Sequence, residues 1–556
     1  MKRFLLLSLF AAAFGSAQAQ YNQLWIPDTL SGTVFNLQLN QHTKQYQTGA
    51  VTNTYGVNDD SFWGPTLIMR KGDSIQMHVT NNLPDTTTTH WHGFHIPPMM
   101  DGGPHQPIAP GTTWSPTFTM RNNAATFWYH PHLHMMTMQQ MMMGLGGMII
   151  VRDDAEAALD LPRTYGVDDI PLALTSRRFT NTNQFDQTAN YGDYQFVNGT
   201  MNAETTLPAQ WVRLRILDAE EERSYILGFS DNRTFYMIGT DGGLINAPLA
   251  LTRVRIGVGE RVELLVDLSG QEGQSFDLKA YNGGQAQGFP GGEPSTTGAT
   301  GSLLNNTTFE VLHINVGAAT ASPVTAMPTT LMSNTYWADG QQDVSRTVNL
   351  VGGQPGPGGS PFTFDNTGFN MDVINKTIPL NSTEKWTLTN TSFFSHMFHI
   401  HDIEFNIVSR SSGAVPDYEQ GWKDVVWVPM NQSVTFMTRF TDFADSVHPF
   451  MYHCHFGAHE DGGMMGQFVV VDNSTGLANV AKEHNELDVY PNPTTEQLHL
   501  NVNDVQHVFV VNAIGQSNEL TVSNNLVDVS SIADGMYLLK AVDRNGKNYS
   551  AKFTKQ

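Results

Sequence analysis

Ten of the 20 histidines in this 556-residue chain fall in four short segments. They are His90-Trp91-His92, His130-Pro131-His132, His396-Met397-Phe398-His399-Ile400-His401, and His453-Cys454-His455 followed by His459. Scattered core or surface histidines do not cluster in this way. On a β-strand, residues i and i+2 share a face and residue i+1 points the other way. His90 with His92, His130 with His132, His399 with His401, and His453 with His455 can therefore each aim at one point. Cys454 has the opposite parity to its flanking histidines, as His396 has to His399 and His401. Two sites follow, one on each face.

The rest of the chain reads as β-structure. Its 49 Gly and 27 Pro, with many Thr and Asn, dilute Leu, Ile and Val, and long Ala/Glu/Leu/Lys-rich stretches are few. The length exceeds what one hydrophobic core usually supports, so three or four domains are expected. Short apolar runs such as Ser74-Ile75-Gln76-Met77-His78-Val79, Trp211-Val212-Arg213-Leu214-Arg215-Ile216 and Gly466-Gln467-Phe468-Val469-Val470-Val471 recur between turns. This spacing predicts β-sandwich or barrel domains over 20–155, 156–318 and 319–475. Two Gly/Pro/Ser/Thr-rich stretches, around 283–302 and 352–363, read as loops or linkers, or as a lid over a substrate site.

A formal net charge of -22 repels phosphate backbones and anionic lipid, which argues against a nucleic-acid partner. Lys2 and Arg3, an apolar run from Phe4 to Phe14, and Ala17-Gln18-Ala19 predict a signal peptide over 1–19. No later segment approaches the roughly 20 apolar residues of a membrane span. An exported protein often carries disulfides, yet Cys454 is the single cysteine. Its histidine neighbours argue against an inert buried thiol.

Cys454, His396 and, after a loop, His459 supply a His₂Cys set with Met464 available as a weak axial thioether, the ligand set of a blue-copper site. The eight imidazoles of the other face suit copper. Zinc fits less well, because structural zinc sites take four ligands and catalytic ones three plus water.

These segments, in this order, resemble the multicopper oxidase family, over roughly residues 21–475. The resemblance implies three cupredoxin-like Greek-key β-sandwich/barrel domains in an all-β chain. It implies four copper ions: a type 2 ion on His90 and His399, and a type 3 pair on His92, His130, His132, His401, His453 and His455. A type 1 ion would sit on His396, Cys454 and His459, with Met464 axial. Electrons would enter at the edge of His459, pass through Cys454 to its two peptide neighbours, and reduce dioxygen to water at a cluster between the first and third domains. Asp101, in Met100-Asp101-Gly102-Gly103-Pro104, matches the family acid near the type 2 water, and Glu460 matches a second acidic relay of some bacterial members. His95, His105, His134 and His448 match no ligand position, so supporting roles are expected of them.

The electron donor is less constrained. Met135, Met136, Met138, Met141, Met142 and Met143 are soft thioethers that favour Cu(I), or adaptable core filler. Copper-efflux oxidases carry an Asp and a Met four and two residues before the histidine matching His396, where this chain has Ser392 and Phe394. A laccase-like oxidase of phenols or aromatic amines is therefore favoured over a cuprous-ion oxidase. A non-enzymatic blue-copper carrier would have no use for eight further histidines. Finally, Leu487-Asp488-Val489-Tyr490-Pro491-Asn492-Pro493 and Gly535-Met536-Tyr537-Leu538-Leu539-Lys540 resemble the C-terminal sorting domain of the type IX secretion system. This predicts a small β-sandwich over 484–556, dealings with that machinery, and export through the periplasm to the cell surface or medium.

Overall fold

The computed structural model describes residues 21–352, 362–472, 485–502, 504–512, 517–544 and 547–556. The predicted signal peptide and most of the second Gly/Pro-rich stretch lie outside the described residues. The chain divides into two compact units, Met1–Val471 and Asp472–Gln556. Both are built almost entirely of strands. Among the described residues no helix is long and apolar enough to cross a membrane.

The larger unit has three main apolar cores. The first is built around Leu37, Met77, Phe127 and Ile149, the second around Leu214, Phe229, Leu264 and Leu312, and the third around Trp386, Phe398, Phe436 and Phe468. Each lies between sheets whose strands alternate inward and outward, as in Val34–Lys44 and Ser74–Asn81. Segments from outside 156–318 complete the second core. Asn22–Gln23 pairs in parallel with Ala203–Glu204, and Leu24 and Leu331 pack inside.

Strand register sets up the histidine site. His90–His92 pairs antiparallel with Ala125–His130, opposing His90 to His130. In the third region His396–Ile400 pairs antiparallel with Asp445–Cys454, opposing His399 to His453 and Phe398 to Cys454. Directly opposed residues share a face. The histidines of each pair therefore fall on one side, and Cys454 falls with Phe398 on the other.

Alternation alone would turn Arg213 and Arg215 to water on a half-exposed sheet, but both are buried. Arg215 contacts Asp169 through Nε at 2.6 Å and Glu263 through Nη1 at 2.7 Å. Arg213 reaches Glu156 at 2.7 Å and also pairs with Glu263. Arg152 and Thr126, from the first region, join at 2.9 Å to Asp169 and 2.6 Å to Glu263. This sheet is covered on both faces, so its charges pair internally and tie the first two regions together. Burial alone would raise the pKa of Asp169, but Arg215 and Arg213 bring it down to about 2.

The smaller unit packs a five-stranded sheet, with Gly535–Asp543 between Asn548–Lys555 and Val505–Val511, and a four-stranded sheet around Leu498, Val508, Val527, Leu539 and Phe553.

Replacing Arg215 with Leu leaves Asp169 and Glu263 short of countercharge, and a loss of about 3–5 kcal/mol is expected from urea unfolding. Asp169's folded pKa lies below its unfolded value, so its contribution is complete above roughly pH 5 and is lost as pH falls toward the folded value. An unchanged urea midpoint in the Arg215→Leu protein would deny the network any net role.

Candidate metal centre

The four histidine segments converge between the first and third regions. All eight imidazoles of the larger group are buried. The Nε2 atoms of His132, His401 and His453 face one another, His401 lying 3.2 Å from His132 and 3.3 Å from His453. His92 Nδ1 lies 3.4 Å from His130 Nε2 and 3.1 Å from His455 Nε2. The Nε2 atoms of His90 and His399 are buried with no hydrogen-bond partner.

Each i,i+2 pair thus shares a face but is divided between neighbouring nitrogen groups, rather than aimed at one point. The two rings of a pair stand 5.8 Å apart for His90 and His92, 6.1 Å for His130 and His132, and 5.3 Å for His453 and His455. Ring separation does not itself divide the pairs, since His92 and His130, which share a nitrogen group, stand 5.6 Å apart; the close nitrogen contacts do.

Which ring nitrogen faces the centre is decided by what holds the other one. His90 donates from Nδ1 to the Asp101 carbonyl at 2.9 Å, and His401 from Nδ1 to Asp101 Oδ2 at 2.7 Å. His399 donates to the Asp424 carbonyl at 2.8 Å, and His130 to that of Pro131 at 2.8 Å. Glu460 spans two rings, with His132 Nδ1 3.0 Å from Oε1 and His453 Nδ1 3.1 Å from Oε2. For His92 the roles reverse, because its Nε2 lies 3.2 Å from Asp424 Oδ1. Asp424 is itself gripped by both terminal nitrogens of Arg261, each at 2.6 Å. Arg261 comes from the second region, which otherwise supplies no ring to the cluster.

Two glycines make room for this bracing. Gly93 has φ +85°, and a Cβ there would lie 2.4 Å from Asp424 Oδ2. Gly102 has φ +80°, and a Cβ there would lie 1.8 Å from the Thr89 carbonyl oxygen.

Burial, followed by the neighbouring imidazoles, pushes His92, His130, His399 and His401 well below the usual histidine pKa, and His455 to about 3. These rings are neutral and keep a lone pair. Facing lone pairs repel, whereas a cation between them is attracted to each. The nitrogen groups, with the partnerless Nε2 atoms of His90 and His399, fit bound metal ions.

On the other side of the strand, Cys454 Sγ lies 3.5 Å from Nδ1 of both His396 and His459, which are 3.2 Å apart. Burial raises the pKa of the thiol, so the ordinary state without a cation is S–H. Met464 is fully buried beside this set, its carbonyl accepting from Cys454 N–H at 3.0 Å and its N–H donating to the His459 carbonyl at 2.9 Å. Ser392 Oγ lies 2.7 Å from His396 Nε2. Phe362 covers both imidazoles, with centroids 4.9 Å from His396 and 4.3 Å from His459. Phe393 packs on Phe362 at 5.1 Å and is 65% exposed.

His95, His105, His134 and His448 sit outside both groups. His95 bridges Asp402 and Asp442, each at 2.9 Å, and those acids overcome its burial to raise its pKa to about 10. His105 contacts Gln467, His134 packs on Phe369, and His448 pairs with Asp445. Most of the methionine run forms the helix Thr137–Met143, where Met141, Met142 and Met143 are buried, while Met135 is 68% exposed. The loop around 283–302 packs Phe289 against Trp427, and the Pro290 carbonyl accepts from Ser224 N–H. Asp424 and Arg261 escaped the sequence reading. Each stands beside an opposite charge in sequence, Lys423 before Asp424 and Glu260 before Arg261, yet Lys423 and Glu260 pair with each other instead, so adjacency gives no sign that Asp424 and Arg261 meet.

Family models for multicopper oxidases match residues 39–156 and 329–474, and one for a secretion system C-terminal sorting domain matches 488–556. The cell division protein FtsP of Xenorhabdus nematophila is 31% identical over 423 residues, 75% of this chain and 85% of its own. A multicopper oxidase of Staphylococcus haemolyticus is 28% identical over 467 residues, 81% of this chain and 93% of its own. The solved structure of the laccase-like multicopper oxidase CueO from Ochrobactrum sp. is 30% identical, covers 81% of this chain and 100% of its own, and superposes with a TM-score of 0.71. The chain belongs to the multicopper oxidase family, oxidoreductases that use dioxygen, and it ends in a secretion sorting domain that implies export.

Proposed function

We propose a laccase-like oxidase that takes single electrons from phenols or aromatic amines at a type 1 copper and passes them to a trinuclear copper cluster. His396, Cys454 and His459 would hold the type 1 ion, with Met464 as a further, weak ligand. His90 and His399 would hold the type 2 ion through their partnerless Nε2 atoms. The triads His132, His401, His453 and His92, His130, His455 would hold the type 3 pair. Copper bound in this way supplies one-electron transfer and the four-electron reduction of dioxygen to water.

The chain's own residues do the rest. The peptide links from Cys454 to His453 and His455 join the two sites by the shortest covalent route the chain offers. Asp101 orients His90 and His401, and its Oδ1 is buried with no hydrogen-bond partner, which suits it to handling a proton beside the cluster. Both oxygens of Glu460 lie against ring nitrogens, which favours a positioning role, with proton relay as its second use.

The aromatic rim carries the donor assignment. Phe393 presents an exposed ring that packs on Phe362, and Phe362 in turn packs on the His459 imidazole. Flat aromatic donors can stack there, whereas a cuprous ion would find no carboxylate or thioether at Ser392 or Phe394. The Ochrobactrum relative is described as having oxidase activity towards lignin model compounds and lignosulfonate. Cuprous-ion oxidation is the alternative, supported by exposed Met135. The buried Met141–Met143 side chains favour core packing instead. The supply of eight buried imidazoles argues against a simple blue-copper carrier. The sorting domain makes secretion machinery a partner, with release or cell-surface display as its outcome.

Cys454→Ser should abolish the blue absorption and turnover while the other three coppers stay bound, by metal analysis. A variant that stays blue would overturn the type 1 assignment. Asp101→Asn should lower turnover by roughly 10²-fold and leave anaerobic reduction of the blue site unchanged. Equal oxygen uptake in variant and parent would remove Asp101 from proton handling. Oxygen uptake should be fastest with phenolic or aromatic-amine donors among a set including Cu(I) and bilirubin. Phe393→Ala should cost phenols about 2–10-fold in kcat/KM. Faster Cu(I) oxidation, indifferent to Phe393, would replace the laccase-like reading by the cuprous one.

A further inference from the structure

A cavity of about 470 Å³ lies where the end of the strand Val34–Lys44 meets the turn at Gly199–Met201 and the N-terminal strand Asn22–Gln23. No residue assigned above to copper lines it. Its size is within the range that encloses a small organic ligand, and it sits at a junction between the first and second regions, where such sites concentrate.

The walls combine rings with underused polar groups. Trp25, Tyr46 and Phe62 supply the aromatic surface. Tyr46 is fixed by Phe196 at 5.1 Å and Phe62 at 6.3 Å, so it cannot swing away without opening that cluster. Lys44 Nζ lies 5.8 Å and 5.4 Å from the Trp25 and Tyr46 ring centroids and donates one hydrogen bond, to the Gly199 carbonyl at 3.1 Å. No carboxylate of the described residues forms an ion pair with it, so two of its three N–H donors are unused. The Asp60 carboxylate is half-buried and accepts no hydrogen bond from a described residue. Burial, then Asp28 and Asp59, raise its pKa to about 6. The Tyr46 hydroxyl is buried with no partner. The Tyr46 hydroxyl is withdrawn from water without a partner, at a cost in free energy, while the part-exposed Lys44 ammonium and Asp60 carboxylate offer a donor and an acceptor to whatever enters the cavity.

The charges narrow the ligand. An anion would meet Asp59 and Asp60, and a cation would meet Lys44. A simple phenol has one hydroxyl for a wall that offers several donors and acceptors. A neutral ring with apolar C–H faces and hydroxyls on its rim answers all of these demands. We propose that this cavity is a carbohydrate-binding site. It would take a neutral sugar unit stacked on Trp25 and Tyr46, with its hydroxyls shared between Lys44 and Asp60. The sorting domain, which implies export, would bring the oxidase to where neutral polysaccharide is met.

The test uses the full copper-loaded chain titrated calorimetrically with cellohexaose, mannohexaose, laminarihexaose and xylohexaose, and in parallel with 2,6-dimethoxyphenol. At least one oligosaccharide should bind, quenching tryptophan emission. Trp25→Ala and the gentler Asp60→Asn should each weaken it at least tenfold, with 2,6-dimethoxyphenol turnover unchanged. Absence of binding by all four sugars at 10 mM would overturn the proposal, as would binding indifferent to Asp60→Asn in a protein of parental melting temperature. Phenol binding lost in the same variants would overturn it as well.

Discussion

Nitrogen lone pairs that face one another at 3.1–3.4 Å repel until a cation lies among them, and this constraint governs much of the larger unit. The fold must assemble the rings before any ion rewards the assembly. It does so by committing the outward nitrogen of most rings to a fixed acceptor: the Asp101 and Asp424 carbonyls, the Asp101 and Asp424 carboxylates, and Glu460. The stacking of His90 on His401 and of His92 on His399, each at 3.9 Å, then fixes the ring planes.

Those acceptors make the second region part of the site, although it gives no imidazole. Arg261 holds Asp424, which holds His92 through its side chain and His399 through its backbone. The buried Arg213 and Arg215 network ties the same region to the strand Ala125–His130 through Thr126. Charges in this interior cannot be left alone, so a sheet that carries arginines inward must bring their carboxylates with it. The middle of the molecule is therefore a brace between the segments that supply histidines.

The cysteine side of the strand follows a different logic. One strand presents Cys454 to one face and its histidine neighbours to the other, so the two sites are separated by no more than a peptide link. The thiol is buried and disfavours ionisation by itself, while Phe362, Phe393 and Phe394 make the approach to His459 aromatic rather than acidic. The surface over this group is thus set by phenylalanines outside the cysteine and histidine set.

Much of this was legible in the residues. The HxH and HCH spacings, read with strand parity, separate a cysteine site from an imidazole site, because side-chain alternation is a local property of the backbone. The sorting-domain motifs likewise mark a separate C-terminal unit. Alternation could not say how each histidine pair would be divided between nitrogen groups, since that depends on strands contributed by another region. Asp424, Arg261 and the inward-facing Arg213 and Arg215 were equally hidden, because the oppositely charged side chains nearest to them lie more than 40 residues away in sequence. The sequence by itself determined which side chains could bind metal and which face of its strand each occupies. Only the tertiary structure decided which nitrogen of each ring turns inward, because that choice belongs to the acceptor that folding places behind it.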